Sequence, residues 1–408
     1  MRQRLVTLAF LVVALAAAAA ALWLEPKTSS RGVFNDQGEA FYPGFKDPLA
    51  CKTLEVVAYD EATATARPFK VEFRNHRWVL PSHFNYPADA RDRLAKTAAA
   101  LMDLKKDIIR SDSVSDHATF GVIDPMDSKA TSLTGRGKRV TLRDEKGTLL
   151  ADFILGKPVE GKPGYRYVRL PGQKRTYAVK TDADPSANFE DWIETDLLKL
   201  SASELRKITI NSYSINEELG QLDNAERLVL TKDKDKWTLE GGRRPKAAAI
   251  EALTTALDNL KIVGVQPKPA ALTKDLKTQA GITLSLDAIM SLRQKGFFVT
   301  QTGQLLSNEG ELIIETSKGL LYTLRFGEVA PGEPASTGDD KTRERRYLFI
   351  TVSYSEQRAK QYNGGDDAVV REAGQRLARE LTNRFADWYY VISGADFSKL
   401  RPRGKDLS

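Results

Sequence analysis

A single cysteine, Cys51, stands in 408 residues. A disulfide within the chain needs a second thiol, and a cysteine-rich zinc site or an iron–sulfur cluster needs several, so all three are excluded. A lone thiol is more often a small buried apolar residue than a nucleophile. Histidine is nearly as scarce: His76, His83 and His117 are the whole supply, and no pair has the i, i+4 spacing of a helical metal site. No serine lies in a Gly-x-Ser-x-Gly elbow. A dominant charge of one sign is also lacking, because 61 bases are offset by 54 acids. The formal +7 is thus spread over a mixed surface. With no basic stripe interleaved with aromatics, nucleic-acid binding is not expected.

Long apolar runs are missing except at the start. Leu5 to Leu24 are apolar apart from Thr7, preceded by Arg2 and Arg4 and followed by Glu25-Pro26. Twenty helical residues rise about 30 Å, the thickness of a bilayer's hydrocarbon core. The flanking charges favour an N-terminus inside and a body outside the cytoplasm. A cleaved signal peptide is the rival, since the alanine stretch offers small-x-small sites. The length of the run and its end in Leu22-Trp23-Leu24 favour an uncleaved anchor over residues 1–25. The expectation is a single-pass inner-membrane protein whose residues 5–24 contact the bilayer and whose body is periplasmic.

What the chain does have is a repeat. "FKVEFRNHRWVL" (69–80) and "LVLTKDKDKWTL" (228–239) both alternate like hairpins and end in Trp-x-Leu. A helix is predicted after each: one opened by Pro87, with Leu94, Ala98 and Leu101 on its apolar stripe, the other opened by Pro245, with Ile250, Leu253 and Leu257. A further hairpin follows in each copy, "RVTLRDEKGTLLADFILG" (139–156) and "ELIIETSKGLLYTLRFG" (311–327). Aromatic strands come next, "YRYVRL" (165–170) and "RTYAVK" (175–180) in one copy and "RYLFITVSY" (346–354) and "WYYVIS" (388–393) in the other. The fold class expected is α+β, two related sheet-plus-helix units behind the N-terminal helix. Residues 26–68 read as linker and lead-in strand, 69–200 as the first unit with a helical exit "FEDWIETDLLKL", 201–400 as the second, and 401–408 as a basic tail.

The repeat settles a tempting motif. "GKPVEGKP" (156–163) matches the start of the phosphate-loop pattern G-x-x-x-x-G-K-[ST]. The second copy reads "GEVAPGEP", with Glu333 at the position of Lys162, and Pro163 occupies the Ser/Thr position. A strand follows where a phosphate loop must open a helix. The motif is therefore a glycine turn between strands, and no nucleotide is expected.

The second copy also carries an insertion, 366–388, with Val370, Leu377, Leu381, Phe385 and Trp388 at helical spacing. Such a stripe packs against its own sheet or offers a partner-binding face, and these five residues are the candidate docking set. Catalytic candidates are thin. His83 follows Ser82, but neighbours in sequence become nucleophile and base only with an orienting third group. Asp89 and Asp92 open one helix, Asp191 and Asp196 flank the exit segment, and nothing in the sequence joins them. No catalytic, cofactor-binding or metal-binding residue is named.

The N-terminal apolar segment, Trp78-x-Leu80, "YPADA" (86–90), "FGVIDP" (120–125), "LGK" (155–157), "YRYVRL", "TYAV" (176–179) and "FEDWIETDLL" (189–198) together resemble the bacterial family called domain of unknown function 4340. The resemblance implies a membrane-anchored extracytoplasmic protein associated with ABC-type transport components of the kind linked to gliding motility, with permease or ATPase subunits as partners. It brings no activity, cofactor or site residues. The expected function is a non-enzymatic accessory or interaction protein. The alternative is an extracytoplasmic hydrolase or ligand-binding protein with its site between the repeats, which would show as a deep cleft joining His83 or His117 to carboxylates.

Overall fold

The computed structural model describes residues 36–216, 221–234, 236–278, 285–331, 344–363 and 368–407. The apolar run of residues 5–24, Gly332, Glu333 and positions 366–367 lie outside that set. Among the described residues no helix is long and apolar enough to cross a membrane.

The alternating segments form two large antiparallel sheets. The first holds β1 (Thr53–Asp60), β2 (Thr65–Arg74), β3 (Arg77–Leu80), β4 (Tyr86–Pro87), β5 (Ile108–Ser111), β6 (Lys138–Arg143), β7 (Leu149–Pro158), β8 (Tyr165–Arg169) and β9 (Thr176–Lys180). Its order is β4-β3-β2-β1-β6-β7-β8-β9-β5. The second holds β10 (Leu205–Asn216), β11 (Gln221–Asp233), β12 (Lys236–Leu239) and β13 (Gly264–Pro267). A separate hairpin of β14 (Phe297–Val299) and β15 (Leu305–Ser307) follows. Then come β16 (Glu311–Thr316), β17 (Leu320–Val329), β18 (Arg345–Tyr354) and β19 (Trp388–Ser393), giving the order β12-β11-β10-β16-β17-β18-β19-β13. The two orders superimpose strand for strand apart from β4, so the repeat read from sequence is a repeat of topology.

Local chemistry explains the frame. Phe69 and Val71 of β2 point into the core while Lys70 and Glu72 face out, the period of two of a half-buried strand. Asn75 and His76 both take positive φ, 51° and 60°, as a two-residue hairpin turn between β2 and β3 demands. The helices Arg91–Met102 and Ala247–Asp258 cover equivalent faces, burying Leu94, Ala98 and Leu101 in one and Ile250, Leu253 and Leu257 in the other. Both faces belong to one continuous core that also takes in Trp192, Tyr322 and Leu381.

Several boundaries differ from the sequence reading. The first helix starts at Arg91, not Pro87, because Pro87 pairs with Val79 in β4. The next two N–H groups are held outside a helix, Ala88 by Trp78 O and Asp89 by Trp192 O. The exit segment is one 3-10 turn, Phe189–Trp192, and not a helix, since the Trp192 carbonyl is taken by Asp89 and its indole donates to Ser186 O. The long helix spans Ala368–Ala386, and Trp388 is the first residue of β19, paired with Pro267. Residues 404–407 form a helical turn whose Leu407 is buried on the second unit.

Gly156 and Gly327 are likewise not turn residues. Each is the eighth residue of a ten-residue strand, β7 or β17. A Cβ on Gly156 would stand 2.5 Å from Phe120 O and 2.6 Å from Val122 Cγ1. On Gly327 it would stand 2.7 Å from the Phe297 ring and overlap the Lys295 carbonyl. In both copies a crossing segment lies directly on the strand, and only glycine leaves room for it. Gly161, with φ of 70°, is the true turn glycine.

Candidate functional site

The two units meet along the exit segment of the first and the Ala368–Ala386 helix of the second. Tyr322 donates to Leu198 O at 3.0 Å, Arg384 pairs with Glu194 at 3.3 Å, and Lys199 pairs with Glu380 at 2.6 Å. The Tyr86 and Trp388 rings meet edge to face, 5.1 Å between centroids. Beside this junction lies an open cleft of about 1010 Å³. Six carboxylates line it, Asp89, Asp92, Glu190, Asp191, Glu194 and Asp196, against three bases, Arg93, Lys96 and Lys261. The helix start and the exit segment are adjacent because Asp89 N–H bonds Trp192 O. Asp89, Asp92, Asp191 and Asp196, unconnected in sequence, thus face one space. Within it Arg93 stands 3.7 Å from Asp191 and lies over the Trp192 ring. A smaller recess of about 560 Å³ adjoins, sharing Asp89 and Glu194 and floored by Tyr86 and Trp388.

Neither His83 nor His117 lines the cleft. His83 stacks on Phe189, 4.6 Å between centroids, and burial lowers its pKa. Ser82 Oγ stands 3.0 Å from His83 Nδ1, but among the described residues no carboxylate orients the far side of the ring. His117 is bonded through Nε2 to Lys174 O at 2.8 Å, and burial lowers its pKa as well. His76 is the exposed turn residue. Among the described residues no three His, Cys, Asp or Glu side chains are arranged to hold a metal ion. Cys51 is buried, donates to Thr53 O, and its thiol is pushed up to about 11 by desolvation.

The five residues of the inserted stripe divide. Leu381 and Phe385 are fully buried in the protein's own core, and Leu377 and Trp388 are half-buried against it. Val370 is partly exposed at the helix start. The inner part of the stripe therefore packs on its own sheet. At the helix end lies a residue that periodicity passed over. Lys268 is buried, and its Nζ donates to Phe385 O at 2.7 Å and Trp388 O at 2.5 Å while sitting 4.1 Å from the Phe349 ring centroid. Burial drives its pKa well below the ordinary lysine value. The signal was a lysine between two prolines, Pro267 and Pro269: the prolines have no N–H, the one amide between them donates to Asp387 O, and the lysine side chain takes the neighbouring carbonyls.

Comparison with known proteins adds one family. Residues 78–279 match the family model described as "Domain of unknown function (DUF4340)". The DUF4340 match opens at Trp78, so it takes in the β3 end of the first hairpin, the exit segment and the whole cleft lining. It runs on through the second unit's helix. No curated protein matches the sequence. Among solved structures, kievitone hydratase from Nectria haematococca is paired at 8% identity, covering 78% of this chain and 90% of that one, with a TM-score of 0.10. A score that low carries no argument about fold or activity.

Proposed function

We propose that this chain is a non-enzymatic, membrane-anchored extracytoplasmic interaction protein, an accessory subunit that docks a transport or envelope complex. The observation that carries this reading is the character of the junction cleft. Pockets for small molecules are mostly apolar and enclose their ligand. This one is open and lined largely by charged side chains, six acidic and three basic, on a protein whose formal charge is +7. A locally acidic surface of that kind steers and orients a basic polypeptide surface. The hydrolase alternative asks for a histidine among those carboxylates, and both candidates are engaged elsewhere.

The test places a photo-crosslinking residue at Thr97 or Thr195, both on the cleft, in the full chain expressed in its native membranes. The expected products contain a membrane-embedded ABC permease subunit, and they disappear with Asp92→Lys plus Glu190→Lys. Cross-links no stronger than those from Lys146, in the β6–β7 turn, would overturn the docking role. Recovery of the chain in the soluble fraction would overturn the anchor.

A further inference from the structure

The two units share a frame, so a surface built in one and absent from the other stands out. Such a surface lies at the foot of the first unit, where the 3-10 turn Pro48–Ala50 leads into β1. The second unit has the same turn, Ala202–Glu204, leading into β10. Asp47 caps the first turn and Ser201 the second, each accepting from the N–H two residues on. Lys52 donates to Leu49 O at 3.0 Å, and its counterpart Arg206 donates to Ser203 O at 2.8 Å. The cross-strand pair Phe73–Trp78 matches Lys232–Trp237.

Among the residues that differ on that shared frame, three change the surface at the turn, the hairpin and the helix start. Leu49, 59% exposed, stands where the second unit has Ser203. Phe73 stands where it has Lys232, and Arg91 opens the first helix where Ala247 opens the second. In the second unit Lys232 reaches across the Trp237 ring to Ala202 O and so lies over the equivalent surface. In the first unit the same place is an open groove of about 460 Å³ lined by Leu49, Phe73, Trp78 and Leu94, with Lys52 and Arg91 its only charges. No carboxylate lines it. Among the described residues the exposed Arg91 guanidinium forms no ion pair or side-chain hydrogen bond.

We propose that this groove docks an acidic segment of a partner polypeptide, seating one apolar side chain against Trp78 and Phe73 and pairing a neighbouring carboxylate with Arg91. The inference rests on the reading of the chain as an interaction protein, and it names a surface separate from the cleft. An aromatic floor supplies the contact area, and a planar guanidinium takes a carboxylate in a bidentate fork. Two bases and no carboxylate beside an aromatic floor complement an apolar side chain with a carboxylate next to it, which an acidic peptide supplies.

The full chain in detergent, labelled with fluorotryptophan, reports this directly by fluorine NMR. Its five tryptophans give five signals, with Trp78 assigned through Trp78→Phe. The probes are acetyl-Asp-Leu-Phe-Asp-amide, acetyl-Lys-Leu-Phe-Lys-amide and phosphatidylglycerol vesicles. The acidic peptide should shift the Trp78 signal saturably, with the basic peptide at least about tenfold weaker, the scale of one charge-assisted hydrogen bond. Installing the second unit's residues, Leu49→Ser with Phe73→Lys and Arg91→Ala, should abolish the shift while the other four signals stay in place. Arg91→Glu alone should reverse the preference between the peptides. Equal response to both peptides, or undiminished binding by the triple variant, would overturn the proposal. A Trp78 shift with vesicles and none with the acidic peptide would overturn the choice of a protein partner. None of these results depends on the cleft cross-links, so the two readings fail separately.

Discussion

Replacing Gly156 or Gly327 by alanine adds one methyl group to a strand that has no space for it. At Gly156 the new carbon meets Phe120 O at 2.5 Å and Val122 Cγ1 at 2.6 Å; at Gly327 it meets the Lys295 carbonyl and the Phe297 ring. Ordinary contacts of that kind lie nearer 3.5 Å. The obstacle in both copies includes main chain, which cannot swing aside as a lysine stem can. Relief requires the crossing segment to lift from the sheet, and overpacking of this kind costs about 1–3 kcal/mol. Gly44 is the control, because its Cβ would meet nothing within 4 Å and its φ is not positive. Gly44→Ala should lie within about 0.5 kcal/mol of the parent. Urea unfolding followed by tryptophan fluorescence separates these outcomes, because the m-value registers any change in exposed surface. If Gly156→Ala and Gly327→Ala were as mild as Gly44→Ala, the strand-crossing account of the shared glycines would be wrong. If instead either variant were stable but lost affinity for ATP, the phosphate-loop reading would have to be reopened.

Leu381→Ala should destabilise by about 2–5 kcal/mol as a core truncation, whereas Val369→Ala, at a side chain 76% exposed, should change unfolding by less than about 0.5 kcal/mol; a neutral Leu381 variant would mean that the helix does not pack as described. Cys51, with its thiol at about 11 and its side chain buried, should resist iodoacetamide at neutral pH and react only after denaturation, and rapid native labelling would contradict its burial. Lys268 holds fewer protons folded than unfolded between its lowered value and 10.5. Its contribution is therefore fully present above 10.5 and is lost as pH falls through the folded value. Stability measured against pH should rise more steeply across that window in the parent than in Lys268→Met, and identical slopes would refute the depressed lysine.

The strands were legible because their burial has a period of two, and the repeat made each one readable twice. Phe69 and Val71 face the core where the alternation put them. Helix starts were less legible, since Pro87 suits a first helical turn in general but here joins β4, held by partners in Trp78 and Trp192. That competition is tertiary, and no local pattern carries it. The site was least legible. Asp89, Asp92, Asp191 and Asp196 each looked like a helix-end acid, and tertiary contacts such as the Asp89–Trp192 backbone bond and the Arg93–Asp191 pair set them around one cleft. Lys268 was hidden for the opposite reason, a charged residue in a polar stretch that turns inward to satisfy the Phe385 and Trp388 carbonyls more than a hundred residues away.

Duplication sharpens the search for function, because it separates what the frame needs from what one copy has added. The glycine at the eighth position of the long strand, the Trp of the first hairpin and the base that ties down the 3-10 turn recur in both units, and packing or, for the base, a local hydrogen bond accounts for each. Leu49, Phe73 and Arg91 do not recur; Phe73 packs on Trp78, but Leu49 and Arg91 lie at the surface, where packing gives no reason for them. The same Arg91–Met102 helix then separates two unlike surfaces. Asp92, Arg93 and Lys96 turn toward the acidic cleft, while Arg91 and Leu94 turn toward the aromatic groove. A partner that straddled this helix would need a basic stretch on one side and an acidic, apolar-anchored stretch on the other. That polarity fixes its direction, because the reversed placement sets like charges against each other on both flanks.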